Sequence, residues 1–292
     1  MMFESVRQNK IKTSIIITLF IILIGLFVYF LAYIFGNDSN IAFVLATIIA
    51  SISSIISYYF SDKVVIKGNH ARKATREEYL ELNEILEALC LGAGLKVPEL
   101  YVMDSESPNA FATGRNPNNA VICVTTGLLK KLDKYELEGV IAHELSHIKN
   151  YDILLSTVAT VMVGGISIIA DSLSRGFISR NSDDDDKGNI IIILIGLIFI
   201  ILAPIFSKLL QLALSRNREY LADSSAVSIT RNKDGLINAL KKISNDPNIV
   251  ESANKASAAM YITDPFKRKE KDNIFSTHPS TINRIKRLEN IK

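Results

Sequence analysis

Residues 143–147 read His-Glu-Leu-Ser-His. Side chains four apart lie one turn apart on the same face of an α-helix, so His143 and His147 can reach a single metal ion. Neutral imidazole ligates Zn2+ at about 2.0–2.1 Å. Glu144 follows the first histidine and can sit beside the metal without ligating it. A bound cation lowers the pKa of its water towards ~7. Glu144 can then take the proton, the hydroxide attacks a peptide carbonyl, and the carboxyl returns the proton to the leaving amine. An HExxH spacing alone arises by chance in many helices. Here it falls inside a strong helical pattern, it uses two of the chain's four histidines, and small Ala142 and Ser146 suit a tightly packed site. These features weigh against a surface helix with two incidental histidines.

A catalytic zinc needs a third protein ligand and an open position. His70 and His278 are open to the role, as is any carboxylate on a neighbouring helix. Residues 215–223 read Ser-Arg-Asn-Arg-Glu-Tyr-Leu-Ala-Asp, which places Glu219 and Asp223 four apart on one helix face. Glu219 could ligate, and Asp223 could accept the free ring N–H of a ligand histidine. An ordinary solvated helix face with mixed charges has the same spacing.

Stepping outward, residues 134–150 must carry the histidines on a helix, and Leu137, Val140, Ile141, Leu145 and Ile148 form its apolar stripe. Residues 76–91 have helical spacing that the glycines at 92 and 94 stop. Residues 99–103, 109–113 and 120–125 read as strands, the second opened by Pro108 and stopped by Gly114. Residues 127–133 read as a turn and short helix, and 209–229, 235–244 and 280–291 as helices, with 245–277 polar and irregular. The expected class is α+β, a mostly helical unit with a small sheet.

The whole chain has 292 residues, a hydrophobic share of 48% and a net charge of +3, too small to argue for nucleic acid. Its apolar residues come in long uncharged blocks, at 13–35, 41–60, 153–170 and 190–207. Spanning a bilayer takes ~20 residues, so about four transmembrane helices are expected. The third and fourth blocks also fit buried helices. The first is too long for the apolar part of a signal peptide. Basic residues favour the cytoplasmic side. Arg7, Lys10 and Lys12 precede the first block and Lys63, Lys67, Arg72, Lys73 and Arg76 follow the second, while the turn at 36–40 has none. The organisation expected is a transmembrane hairpin over 1–60, a cytoplasmic catalytic part over 61–152, a second transmembrane pair with an acidic outer loop over 153–207, and a second cytoplasmic catalytic part over 208–292. His147 and Glu219 then lie near the same membrane face. Cys90 and Cys123 read as buried thiols rather than a disulfide framework.

Residues 142–147 followed by one apolar block, and residues 215–223 after another, resemble the HtpX-type membrane zinc metalloproteases, relatives of the CAAX prenyl proteases. The resemblance covers essentially the whole chain. It implies a gluzincin-like unit with one Zn2+ per subunit held by His143, His147 and Glu219, and Glu144 as catalytic base. It implies a membrane-bound endopeptidase that hydrolyses peptide bonds by zinc-activated water, acting on misfolded or damaged membrane proteins. The expected location is the inner cell membrane, multi-pass, with the catalytic part facing the cytoplasm. Residues 108–114 resemble the family's active-site edge strand, which can bind an extended peptide. Residues 276–280 resemble a late motif in which His278 bonds substrate or the oxyanion. A scaffold with a dead metal site would not need Glu144, and a metal transporter would carry ionisable residues inside its spans; the four blocks have none. A prenyl-protein protease would need more spans enclosing a chamber.

Overall fold

The computed structural model describes residues 2–34, 39–162, 164, 216–253, 257–266 and 279–291. Two long helices come first, α1 (Met2–Ile34) and α2 (Ser39–Gly68). Within α1, Val6–Leu26 is long and apolar enough to cross a bilayer. α2 is bent by 65° between Phe43–Ile56 and Tyr58–Gly68, and the two pieces together reach spanning length. The helices pack side by side, with Gly25 against Thr47 and Phe43 and the rings of Tyr29 and Phe43 edge-on at 6.1 Å. The hydroxyls of Thr47, Ser51 and Ser54 donate to carbonyls four residues back, which satisfies them without water. On the outer face Ile15, Leu19, Ile22 and Leu26 of α1 and Ile41, Ile48, Ile52 and Ile55 of α2 are exposed. In water so large an apolar face is a liability; in lipid it is the ordinary surface of a span.

Four spans are expected from the sequence; among the described residues there is one such helix, or two counting the bent pair. The third apolar block starts as a short helix, α6 (Asp152–Met162). Its Leu154, Leu155, Val158 and Met162 are buried in a cluster with Ile16 of α1. The rest of that block, the acidic loop at 171–188, the whole fourth block and His278 lie outside the described residues.

The remaining elements are β1 (Arg72–Lys73), α3 (Leu80–Ala93), β2 (Glu99–Met103), β3 (Ala110–Asn116), β4 (Asn119–Thr125), α4 (Thr126–Lys131), α5 (Lys134–Lys149), α7 (Arg216–Thr230), α8 (Lys233–Asn245), a 3-10 turn at Ala258–Met260 and α9 (Thr281–Glu289). The sheet order is β1-β2-β4-β3, with β2 and β4 parallel and the other pairs antiparallel. Successive strand residues point to opposite faces, and here both faces are covered. Leu100, Val102, Ala112, Ile122 and Val124 join the core around α5. Met103, Phe111, Val121 and Cys123 pack with Val65 and Ile66 of α2 and with Met260 and Tyr261. The end of the α1–α2 hairpin is thereby fixed to the sheet. β3 runs past Gly114, where the sequence suggests a stop. At Gly114 φ is +139°, and a Cβ there would lie 2.3 Å from the Asn119 carbonyl oxygen; glycine serves a close crossing at a bulge rather than a strand end. Cys90 and Cys123 are buried free thiols.

α5 is the central element. It starts on a capping box, in which the Asp133 carboxylate accepts from the Glu136 amide at 3.0 Å and the Glu136 carboxylate accepts from the Asp133 amide at 2.9 Å. Its apolar stripe enters the main core, and its polar face is covered too, so that His143, Glu144 and Ser146 are buried. Gly139 sets the distance to α8: an added Cβ would lie 2.7 Å and 2.8 Å from the backbone N and Cα of Leu236. Gly139→Ala should push the two helices apart and cost about 1–3 kcal/mol through overpacking. Thermal unfolding in detergent should show a lower midpoint; an unchanged midpoint would mean the contact is not a constraint.

Candidate metal centre

α5 presents His143, Glu144 and His147 on its covered face, and α7 crosses it with Glu219 facing them. His143 Nε2 and His147 Nε2 are 3.2 Å apart. Glu219 places Oε2 3.6 Å from His143 Nε2 and Oε1 3.7 Å from His147 Nε2. Ligands at 2.0–2.1 Å from one tetrahedral ion stand ~3.4 Å from each other. The two imidazole nitrogens and the Glu219 carboxylate, one oxygen of which faces each ring, are close enough to share one such ion, and two imidazoles with one carboxylate are a common catalytic zinc set.

The far side of each ring is equally specified. His143 Nδ1 is 3.0 Å from Asp223 Oδ1, and His147 Nδ1 is 2.9 Å from Asp152 Oδ2. A proton on Nδ1 satisfies the carboxylate and leaves the Nε2 lone pair facing the shared point. Burial and the Arg284 cation pull the His143 imidazolium down, but hydrogen bonds to Asp223 and Glu219 outweigh both and raise it to about 9. Glu144 is 1% exposed, and burial pushes its carboxyl above the usual carboxylate range. A carboxyl raised in this way is suited to moving a proton near neutral pH.

Arg284, on α9, closes the cluster from the other side. Its Nε and Nη2 donate to both oxygens of Asp223 at 2.9 Å and 2.6 Å, and its Nη1 donates to the Ile262 carbonyl at 2.7 Å. Burial would raise Asp223, but the Arg284 charge and the His143 hydrogen bond hold it below its ordinary value. Arg218 stands beside Glu219 with Nε and Nη1 buried and lacking a hydrogen-bond partner among the described residues. Its Nη1 is 3.6 Å from Asp152 Oδ1.

His143, His147 and Glu219 are thus brought together, with Glu144 alongside and Asp223 backing His143. His70 is exposed at the end of α2, with φ of +55°, and takes no part. Asp152, Arg218 and Arg284 were not singled out from sequence. Two of them leave a signal there. Asp152 is an acid at the lip of an uncharged block, and Arg284 interrupts the buried stripe of Thr281 and Leu288.

The cleft over the centre is lined by Ala112, Glu144, Ser156, Arg218 and residues 259–262 among others, and its volume is about 30 Å3. That is room for a water or two and not for a peptide. β3 is the edge of the sheet, yet it is not exposed as the sequence suggests. Ile262 donates its amide to the Ala110 carbonyl at 2.9 Å, Phe111 bridges Tyr261, and the Gly114 amide donates to Thr157 Oγ1 at 3.2 Å. Residues 258–262 therefore lie where an added strand would go.

Comparison with known proteins shows the family. The pattern of Peptidase family M48 matches residues 76–292. The chain is 42% identical over 297 residues to the Protease HtpX homolog of Lactobacillus helveticus (strain DPC 4571), covering 99% of each chain. It is 44% identical over 304 residues to the Protease HtpX homolog of Listeria monocytogenes serotype 4a (strain HCC23), covering both chains in full. Among solved structures it shares its fold with S. mikatae Ste24p, with a TM-score of 0.50 and 19% identity; the match covers 90% of this chain and 61% of that one. The chain belongs to peptidase family M48, alongside the HtpX-type proteases that it resembles.

Proposed function

We propose that this protease is a membrane-bound zinc-dependent endopeptidase in which His143, His147 and Glu219 hold one Zn2+ per subunit and Glu144 is the catalytic base. The observation that carries the reading is the cluster of donors, with the two Nε2 atoms 3.2 Å apart, Glu219 Oε2 3.6 Å from that of His143 and Oε1 3.7 Å from that of His147, and a carboxylate behind each imidazole. When bound, zinc supplies Lewis acidity towards a water and a peptide carbonyl. Glu144 takes the proton from the attacking water and delivers it to the leaving amine nitrogen, and its raised pKa serves both transfers. Arg218 has buried N–H donors on the cleft wall and would donate to a substrate carbonyl. An extended substrate would pair with β3 by main-chain hydrogen bonds, displacing residues 258–262.

The centre adjoins α6, which packs on α1, so the chemistry lies next to membrane-spanning helices. This supports misfolded or damaged membrane proteins as substrates and quality control as the role. The basic residues flanking α1 and α2 support a multi-pass protein of the inner cell membrane, divided as 1–60, 61–152, 153–207 and 208–292, with its catalytic parts towards the cytoplasm.

Four measurements test the reading. In detergent, Glu144→Gln should keep stoichiometric zinc and lose cleavage of casein by two or more orders of magnitude, about the scale of general base catalysis. Glu219→Ala should release the metal, and wild-type turnover in Glu144→Gln or full zinc in Glu219→Ala would end the respective assignments. Zinc and a proton compete for His143, whose imidazole holds its proton up to about 9. Affinity measured against a competing chelator should therefore climb by about tenfold per pH unit from neutral pH towards 9 and then level off. A flat profile over that range rules out proton displacement from His143. For orientation, a Ser39→Cys variant should react with an impermeant maleimide added outside intact cells and an Arg76→Cys variant should not; the reverse pattern inverts the topology.

A further inference from the structure

The first membrane helix reaches the metal centre through one side chain. Asn9 lies within the apolar stretch Val6–Leu26 and is 3% exposed. Its amide Nδ2 donates to Asp152 Oδ1 at 2.6 Å and to the Asn150 carbonyl at 3.0 Å. The other oxygen of Asp152 is the one that holds His147 Nδ1, at 2.9 Å. An unbroken relay of hydrogen bonds therefore runs from α1 through Asp152 to a ligand imidazole.

The surroundings explain why an amide stands there. Asp152 is a buried carboxylate, and such a group needs donors at both oxygens. His147 serves one. Arg218 Nη1, at 3.6 Å, is beyond hydrogen-bond reach of the other. The Asn9 amide supplies a close, neutral donor, which orients the carboxylate and leaves its negative charge to act on the imidazole. Asn9 also braces the corner between α5 and α6. Tyr151 in that corner has φ of +61°, a strained region for a non-glycine residue. The Asn9 amide bonds the carbonyl just before it, and the Lys10 ammonium lies 4.4 Å from the Tyr151 ring. A polar side chain buried against protein is costly unless it finds such partners.

We propose that Asn9 is a positioning residue for the metal centre: its amide fixes Asp152, and through it the ring of His147, and that hydrogen bond strengthens metal binding. The proposal rests on the zinc reading above. It is tested on the full-length protein in detergent by titrating zinc against a chromophoric chelator and recording the thermal midpoint of the same samples. Asn9→Ala should weaken zinc binding by about tenfold, the lower end of the range for groups that orient ligands. Asn9→Gln, which restores an amide, should recover part of the loss. Ile16→Ala, which loosens the packing of α1 on α6, should lower the midpoint and leave zinc affinity unchanged. In an Asp152→Ala background, Asn9→Ala should add nothing. If Asn9→Ala does not fold, Asn9→Leu takes its place, since it keeps the bulk without the amide. Zinc affinity unchanged on losing the amide, or reduced equally by Ile16→Ala, overturns the relay. A wild-type protein that binds no zinc overturns the metal reading instead.

Discussion

Charge buried at the centre of the fold is the constraint to which the other features answer. His143, Glu144, Asp223 and Arg284 are each no more than 2% exposed. An ion left unpaired at such depth costs several kcal/mol. Arg284 meets this with a bidentate pair to Asp223 and a third bond to a main-chain carbonyl; its planar fork suits that geometry and a lysine would not. Around the centre the described residues still place Glu144, Asp152, Glu219 and Asp223 against only two guanidinium groups, Arg218 and Arg284. The protonated imidazole of His143 makes up part of the difference, and a divalent cation would take over that part when it displaces the proton. The same cluster accounts for the tightness of α5, because the helix must be walled on its polar side as well as its apolar side to keep water from those charges.

How far sequence reading reached follows from the range of the interaction. The helix around 143–147 and the partnership of Glu219 with Asp223 are periodic over four residues, so both are legible. So is the α+β character, since the strand at 99–103 and the apolar stripe of α5 are local patterns. Asn9 meets Asp152 across 143 positions and Arg284 meets His143 across 141; no period encodes such pairs. Gly114 misleads for a different reason. A glycine that ends a strand and one that admits a close backbone crossing look alike until the neighbour at Asn119 is in place. The edge of β3 was legible as an edge, but not as one already paired with Ile262, because residues 258–262 have no pattern of their own.

The α1–α2 hairpin and the unit that carries His143 are one structure rather than an anchor and a cargo. The last turns of α2 supply Val65 and Ile66 to the second face of the sheet, α1 packs on α6 through Ile16, and Asn9 enters the polar network itself. The described start of the third apolar block shows the same merging. Its uncharged sequence suits lipid, yet its first turns bury Ile153, Leu155 and Val158 against protein.

The distance along the chain between His143 and Arg284 also has a consequence in time. Translation delivers the two histidines first, Glu219 and Asp223 later, and Arg284 later again. Until α9 docks, Asp223, the carboxylate that holds His143, has no guanidinium partner. The charge pairing at the centre of the fold is thus completed by the helix that is made last among those described, and the two parts of the chain that flank the third and fourth apolar blocks must both be in place before it closes.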